Sequence, residues 1–160
     1  PDCFKAWSKN NKVILRSPSS TRPWQHVLEP ISGYLALGMN LSIAKDFAGE
    51  AFNFGPHTSF NHSVLELVQE MSSHWDKVKW EIQDSRKEKL YESKLLQLNC
   101  DKSFFNLSWQ SCLDFKQTVE YTVNWYKNFY DNNDSIKDFS ENQILRYMQL
   151  AKSKDINWAI

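Results

Sequence analysis

Glycine is scarce in this 160-residue chain, and its four positions, 33, 38, 49 and 55, allow neither a G-x-G-x-x-G nor a P-loop to be written. A glycine loop that cradles phosphates is thereby excluded. Cysteine is almost as sparse. Cys3, Cys100 and Cys112 are odd in number and stand in no C-x-x-C spacing, which argues against a disulfide scaffold or a zinc site and leaves reduced, cytoplasmic thiols as the default. Charge of either sign is not in excess: Lys+Arg and Asp+Glu are both 19, so the basic footprint of a nucleic-acid binder is missing. No run of eighteen apolar residues exists, so no membrane-spanning helix is expected. The chain has no secretory signal and no initiating methionine, and Pro1-Asp2-Cys3-Phe4 already falls in a helical pattern; the expectation is a piece of something longer.

Catalytic signatures are missing too. No serine stands in a nucleophile elbow, and no tyrosine has a lysine four positions on. His57 and His62 lie five apart in a loop-like segment that offers no further metal ligands. The four Asn-x-Ser sequons, at Asn40, Asn61, Asn106 and Asn133, match chance in a chain rich in Asn and Ser. Self-sufficient catalysis by this chain is not expected.

What is present supports one domain over 1–160 with a substantial core: 41% hydrophobic and 14% aromatic residues, seven of them tryptophans that each need packing and a partner for the indole N–H. Residues 2 to 9 read as a helix stopped by Asn10-Asn11, and Lys12 to Arg16 as a short strand. Pro30 suits the first turn of a helix carrying Leu28, Ile31, Leu35, Gly38 and Ser42 at helical spacing, with Gly33 and Gly38 open to a close backbone approach. Glu50 to Pro56 reads as a strand, Ser63 to Glu66 as a capping box, and Val64 to Trp75 as an amphipathic helix. Val78 to Ile82 and Lys94 to Leu98 are strand candidates around a charged loop at Asp84 to Lys89. A short helix starts at Asp101, a long one covers Asp114 to Tyr130, and Ser140 to Gln143 reads as a second capping box. The sum is an α+β chain with four or five helices and short strands too scattered to close a doubly wound sheet.

One stretch stands apart. In "STRPWQHVLEP", Arg22, Trp24 and His26 alternate, and on a strand all three would leave by the same face. Such a face fits the wall of a site. On the residues alone, a surface salt bridge between Arg22 and Glu29 is the competing reading, as are plain packing for Trp24 and a neutral, packed role for His26.

"TRPWQHVLEPISGYLALGMNL" resembles the C-terminal half of the extended short-chain dehydrogenase/reductase family, most nearly its nucleotide-sugar 4,6-dehydratases that take CDP-glucose. "PDCFKAW", "EAFNFGP", "YESKLLQLNCDKS", "LSWQSCLDFKQTVEYTVNWYKNFY" and "FSENQILRYM" agree in order and spacing, and the resemblance covers nearly the whole chain. It implies a lyase of deoxysugar and O-antigen lipopolysaccharide synthesis, cytoplasmic and homodimeric. Its N-terminal Rossmann half binds NAD and carries the catalytic groups, and its C-terminal half binds the nucleotide-sugar. This chain would then be the substrate-binding domain without its Rossmann half, and inactive alone. The resemblance assigns Arg22 to the diphosphate, which its planar fork suits, and Glu92 to the ribose hydroxyls, with Trp24, His26 and Asn53 in support. It implies that the Leu28/Ile31/Leu35 stripe normally packs on the absent half. Leu90 replaces a usual proline two residues before Glu92, and Ser108 stands where glycine is usual. A sister epimerase or dehydratase, or a non-enzymatic interaction module, are the rival readings.

Overall fold

The structure, a computed structural model, describes residues 1–44, 46–57, 61–83, 96–132 and 135–159. Among these residues the chain forms α1 (Asp2–Ser8), β1 (Val13–Leu15), β2 (Thr21–Arg22), α2 (Leu28–Ile43), β3 (His62–Ser63), α3 (Val64–His74), β4 (Trp80–Ile82), α4 (Asp101–Leu107), α5 (Phe115–Asp131), α6 (Ile136–Ser153) and a closing 3-10 turn at Asn157–Ala159. β1 and β4 pair in parallel, with Val13 opposite Trp80, and β2 and β3 pair antiparallel over two residues each. The fold is α+β. No helix of the described residues is long and apolar enough to cross a membrane.

Local chemistry explains most of the boundaries. α1 stops where Asn10 takes a left-handed conformation, φ 59°, which asparagine tolerates better than most residues. Ser63 and Glu66 close a capping box at α3: the serine hydroxyl accepts from Glu66 N–H at 3.2 Å and the glutamate accepts from Ser63 N–H at 2.7 Å. Those bonds hold the Glu66 carboxyl below its usual range. α5 is capped the same way by Asp114 and Gln117.

Three clusters make up the core. The largest joins α1, α3 and α5 to the parallel pair through Phe4, Trp7, Val68, Trp75, Val119 and Val123. A second gathers Cys112, Leu113, Tyr147, Ala151 and Ile156, and a third Ala36, Phe54, Leu107 and Trp109. Six of the seven tryptophans donate their indole N–H to an acceptor, among them Trp7 to the Lys79 carbonyl and Trp75 to Asp131, both at 2.8 Å.

The second and third clusters meet at Glu29, in the first turn of α2 and only 1% exposed. Its carboxylate accepts from the backbone N–H groups of Cys112 and Leu113, at 3.0 and 2.6 Å, and from the Tyr147 hydroxyl at 3.0 Å. Ser32, one turn on, accepts the Trp109 indole N–H at 2.9 Å. Burial raises the pKa of Glu29, and the three donors lower it without cancelling that effect. The same burial pushes the Cys112 thiol up to about 11.

Several expectations are corrected. There are six α-helices among the described residues, not four or five. Residues 51–57 take no ladder partner, so Glu50 to Pro56 is no strand; Phe54 instead lays its ring on α2, where a Cβ at Gly33 would come within 2.3 Å of it. Gly33 thus admits a side chain, not a backbone, and a Cβ at Gly38 would meet nothing within 4 Å. Ser140 does not cap α6. That helix starts a turn earlier, capped by Ser135, and the Ser140 hydroxyl donates to the Ile136 carbonyl inside it. On α2 the outcome is divided: Ile31 and Leu35 are exposed, as expected of a stripe that packs outside this fold, whereas Leu28 packs against the second cluster and the buried residues of the helix are Glu29, Ser32, Gly33 and Ala36. The Asp84 to Lys89 loop and the start of the Lys94 to Leu98 strand lie outside the described residues, and 96–98 join no ladder.

Ser108 ends α4 in the left-handed region, φ 50° and ψ 29°, a conformation that a Cβ disfavours. Ser108→Gly is expected to raise unfolding stability by about 0.5–1 kcal/mol, read as a higher urea midpoint at unchanged slope. Glu29→Ala orphans two buried N–H groups and leaves the Tyr147 hydroxyl with Ser32 Oγ alone, at 3.3 Å. A loss of roughly 3–5 kcal/mol is expected in the same measurement.

Candidate functional site

Arg22 ends β2 directly opposite His62 of β3. The short ladder is extended by Val64 N–H to the Ser20 carbonyl, 2.9 Å, and by Leu65 N–H to the Pro18 carbonyl, 3.0 Å, so the strand is fixed to the first turn of α3. The guanidinium is half-buried and donates one Nη1 hydrogen bond to the Thr21 carbonyl at 2.7 Å. It borders a shallow depression whose other walls include Pro23, Pro56, His57, Asn61 and Leu98. The enclosed volume is about 10 Å³, the space of one water, so a ligand would lie across this surface and not inside it.

The opposite wall owes its shape to residues 53–56. Asn53 donates from Nδ2 to the Asn99 carbonyl at 3.1 Å, and its own carbonyl accepts from Ser103. Gln25 donates to the Phe54 carbonyl at 3.1 Å, joining this segment to the one that carries Arg22. At Gly55 a Cβ would stand 2.9 Å from Leu98 Cδ1, so the two walls touch only because that position lacks a side chain.

Trp24 and His26 do not continue the face of Arg22. β2 stops at Arg22, so the alternation that put the three residues together has no strand to run on. Trp24 packs against the largest core cluster and donates its indole N–H to the His62 carbonyl at 2.8 Å, across the ladder from Arg22. His62 in turn stacks on Phe115, ring centroids 3.7 Å apart. His26 is buried, 6% exposed, and meets Tyr121 edge-on. Its Nδ1 accepts the Leu28 N–H at 3.3 Å, one of the free donors at the start of α2. That bond requires a neutral ring, and burial lowers its pKa to about 4.

Of the sequence candidates, then, Arg22 borders the depression, while Trp24, His26 and Asn53 hold the segments around it. Glu92 lies outside the described residues. Glu29, weighed as a surface partner of Arg22, is instead enclosed by Cys112, Leu113 and Tyr147. The reading missed His57 and Asn61 as lining residues, since their place depends on a fold that sequence spacing does not reveal. It also missed Glu29, although a lone acid in the otherwise uncharged stretch 27–44 was a visible signal. Among the described residues no three His, Cys, Asp or Glu side chains gather as a metal site would need.

A CDP-glucose 4,6-dehydratase of Salmonella typhimurium (strain LT2) is 32% identical over 149 residues, which cover 92% of this chain and 41% of that enzyme. The chain is homologous to that dehydratase. It spans about two fifths of the dehydratase's length, and the aligned part includes nearly everything described above. No family model matches the chain. None of the four glycines follows a strand and opens a helix, the place a dinucleotide-binding turn would need.

The histidine gives this region a pH dependence. With a folded pKa near 4 against about 6.5 unfolded, the unfolded chain binds the extra proton between those values. The contribution is therefore complete above pH 6.5 and lost as pH falls toward 4, up to about 3 kcal/mol. Glu29, with its pKa raised, works in the opposite sense. The test is the difference between the parent chain and His26→Gln in urea unfolding from pH 7 to pH 4.5: the parent should lose more stability over that range.

Proposed function

We propose that the chain is the C-terminal, nucleotide-sugar-binding portion of an NAD-dependent 4,6-dehydratase acting on CDP-glucose in the cytoplasm, with Arg22 holding the diphosphate. The homology over 92% of the chain supports the family. The observation that carries the role of Arg22 is its position: a half-buried guanidinium at a strand end, on the rim of a depression walled by the Asn53–Pro56 segment. Five N–H donors in a planar fork suit two phosphate groups better than a single ammonium would. Glu92, in this reading, accepts from the ribose hydroxyls with its two oxygens.

Trp24 and His26 act indirectly. Trp24 fixes the backbone of the residue opposite Arg22, and His26 caps the helix that follows. Both restrict where the guanidinium can lie, which lowers the entropy lost on binding. NAD, when bound by the rest of such an enzyme, supplies the hydride chemistry; the residues of this chain bind and orient the sugar nucleotide. The product would be the 4-keto-6-deoxy sugar nucleotide.

Calorimetric titration of CDP-glucose into the chain and into Arg22→Ala tests this reading. Binding to the parent chain, weakened about 10- to 100-fold in the variant, is expected, corresponding to roughly 1.5–3 kcal/mol for a charge-assisted contact. Equal affinity for both would remove Arg22 from the site. With NAD added, the chain alone should give no turnover, and measured dehydration would overturn the division of labour.

A further inference from the structure

A groove between α5 and α6 encloses about 300 Å³, against about 10 Å³ for the depression beside Arg22, and the two share no lining residue. Such a volume is at the lower end of the ~300–1,000 Å³ of small-molecule sites. Two hydrogen bonds fix how the antiparallel helices face each other. The Trp125 indole N–H donates to Ser140 Oγ at 2.9 Å, and Gln143 Nε2 donates to the Tyr121 carbonyl at 2.8 Å. In that register Glu120 is opposite Arg146 and, one turn along, Asn124 is opposite Asn142, and all four line the groove. Packed helix axes lie ~8–10 Å apart, and neither pair closes the gap: among the described residues these four side chains make no hydrogen bond or ion pair.

The groove thus offers one carboxylate, one guanidinium and two amides whose pairing capacity is unspent. Their charges cancel, which favours a ligand of no net charge. The carboxylate only accepts, the guanidinium only donates, and each amide does both. A hydroxyl is the small group that satisfies the charged pair at once, donating to Glu120 while accepting from Arg146. Neighbouring hydroxyls on a ring match the adjacent C=O and N–H of an amide in the same way. The two pairs are four residues apart, about 6 Å along the helices, which suits hydroxyls on opposite sides of one sugar ring. Tyr121 and Phe139, both half-buried, flank the opening with aromatic rings on which the C–H face of such a ring can pack.

We propose that the α5–α6 groove is a binding site for a neutral, hexose-sized saccharide, separate from the Arg22 depression. Glu120 and Arg146 hold one side of the ring, and Asn124 and Asn142 hold the other.

Titration of the 160-residue chain with D-glucose, followed by the amide resonances in NMR, tests the proposal. Saturable shifts are expected over 120–124 and 139–146. Asn142→Ala and Arg146→Met should each weaken binding about 10-fold, the loss of a neutral or a charge-assisted hydrogen bond. Both positions are exposed, so the far-ultraviolet circular dichroism should match that of the parent. Arg22→Ala should bind D-glucose at these residues as the parent does, which separates this site from the diphosphate reading. Glycine, a small zwitterion, should produce no saturable shift there. No saturable shift with D-glucose, parental affinity in both groove variants, loss of the shifts in Arg22→Ala, or saturation of the same residues by glycine would each overturn it.

Discussion

A buried carboxylate organises this molecule. Glu29 is in the first turn of α2, yet the donors to its oxygens come from the turn before α5 and from the middle of α6. One side chain thereby connects elements more than eighty residues apart in sequence. An isolated buried charge would be prohibitively costly. Here two backbone N–H groups and a tyrosine hydroxyl converge on it, and the neighbouring Lys154 Nζ bonds the Cys112 carbonyl at 2.7 Å. The residues from Trp109 to Leu113 form no regular element, so their N–H groups need acceptors from outside, and Glu29 is that acceptor. The orientation of α2 against the second and third clusters follows.

That orientation reaches the candidate site. His26 and Gln25 lie between Arg22 and α2, so the chain arrives at the helix from the guanidinium within six residues. His26 caps the helix start, Gln25 bonds the Phe54 carbonyl, and Phe54 rests on Gly33 of the same helix. Both walls of the depression therefore refer back to α2. The opposite end of the ladder refers to α3 through the Ser63–Glu66 box and to α5 through the His62–Phe115 stack. Arg22 is held at a junction of three helices although its own strand is two residues long.

Much of this could be read from the residues. The α3 cap, the α1 stop at Asn10 and the amphipathic spacing of α3 and α5 are local properties, and local patterns specify them. Failures cluster where tertiary contacts override pattern. Residues 50–56 have the composition of a strand but spend their side chains on α2 and α4. Ser140 and Gln143 spell a capping box but fall inside a helix that Ser135 had already started. The α2 stripe was visible as apolar, yet its neighbours Glu29 and Ser32, polar by type, are the ones that face inward. No periodicity rule assigns an acid to the interior. Around the candidate site, chemistry and family likeness pointed to Arg22, which borders the depression, whereas its neighbours there, His57 and Asn61, come together only through the antiparallel pairing of β2 with β3 and the path of 53–57.

The indole hydrogen bonds carry a practical corollary. Trp7 and Trp75 reside in the largest cluster, Trp109 in the third, and Trp158 lies against both the second and the third. Their indole acceptors are of three kinds: a main-chain carbonyl for Trp7 and Trp158, a carboxylate for Trp75, a serine hydroxyl for Trp109. The protein thus carries its own set of optical reporters, one or more per packing unit, and single Trp→Phe replacements would let fluorescence resolve whether the three units melt together or in sequence.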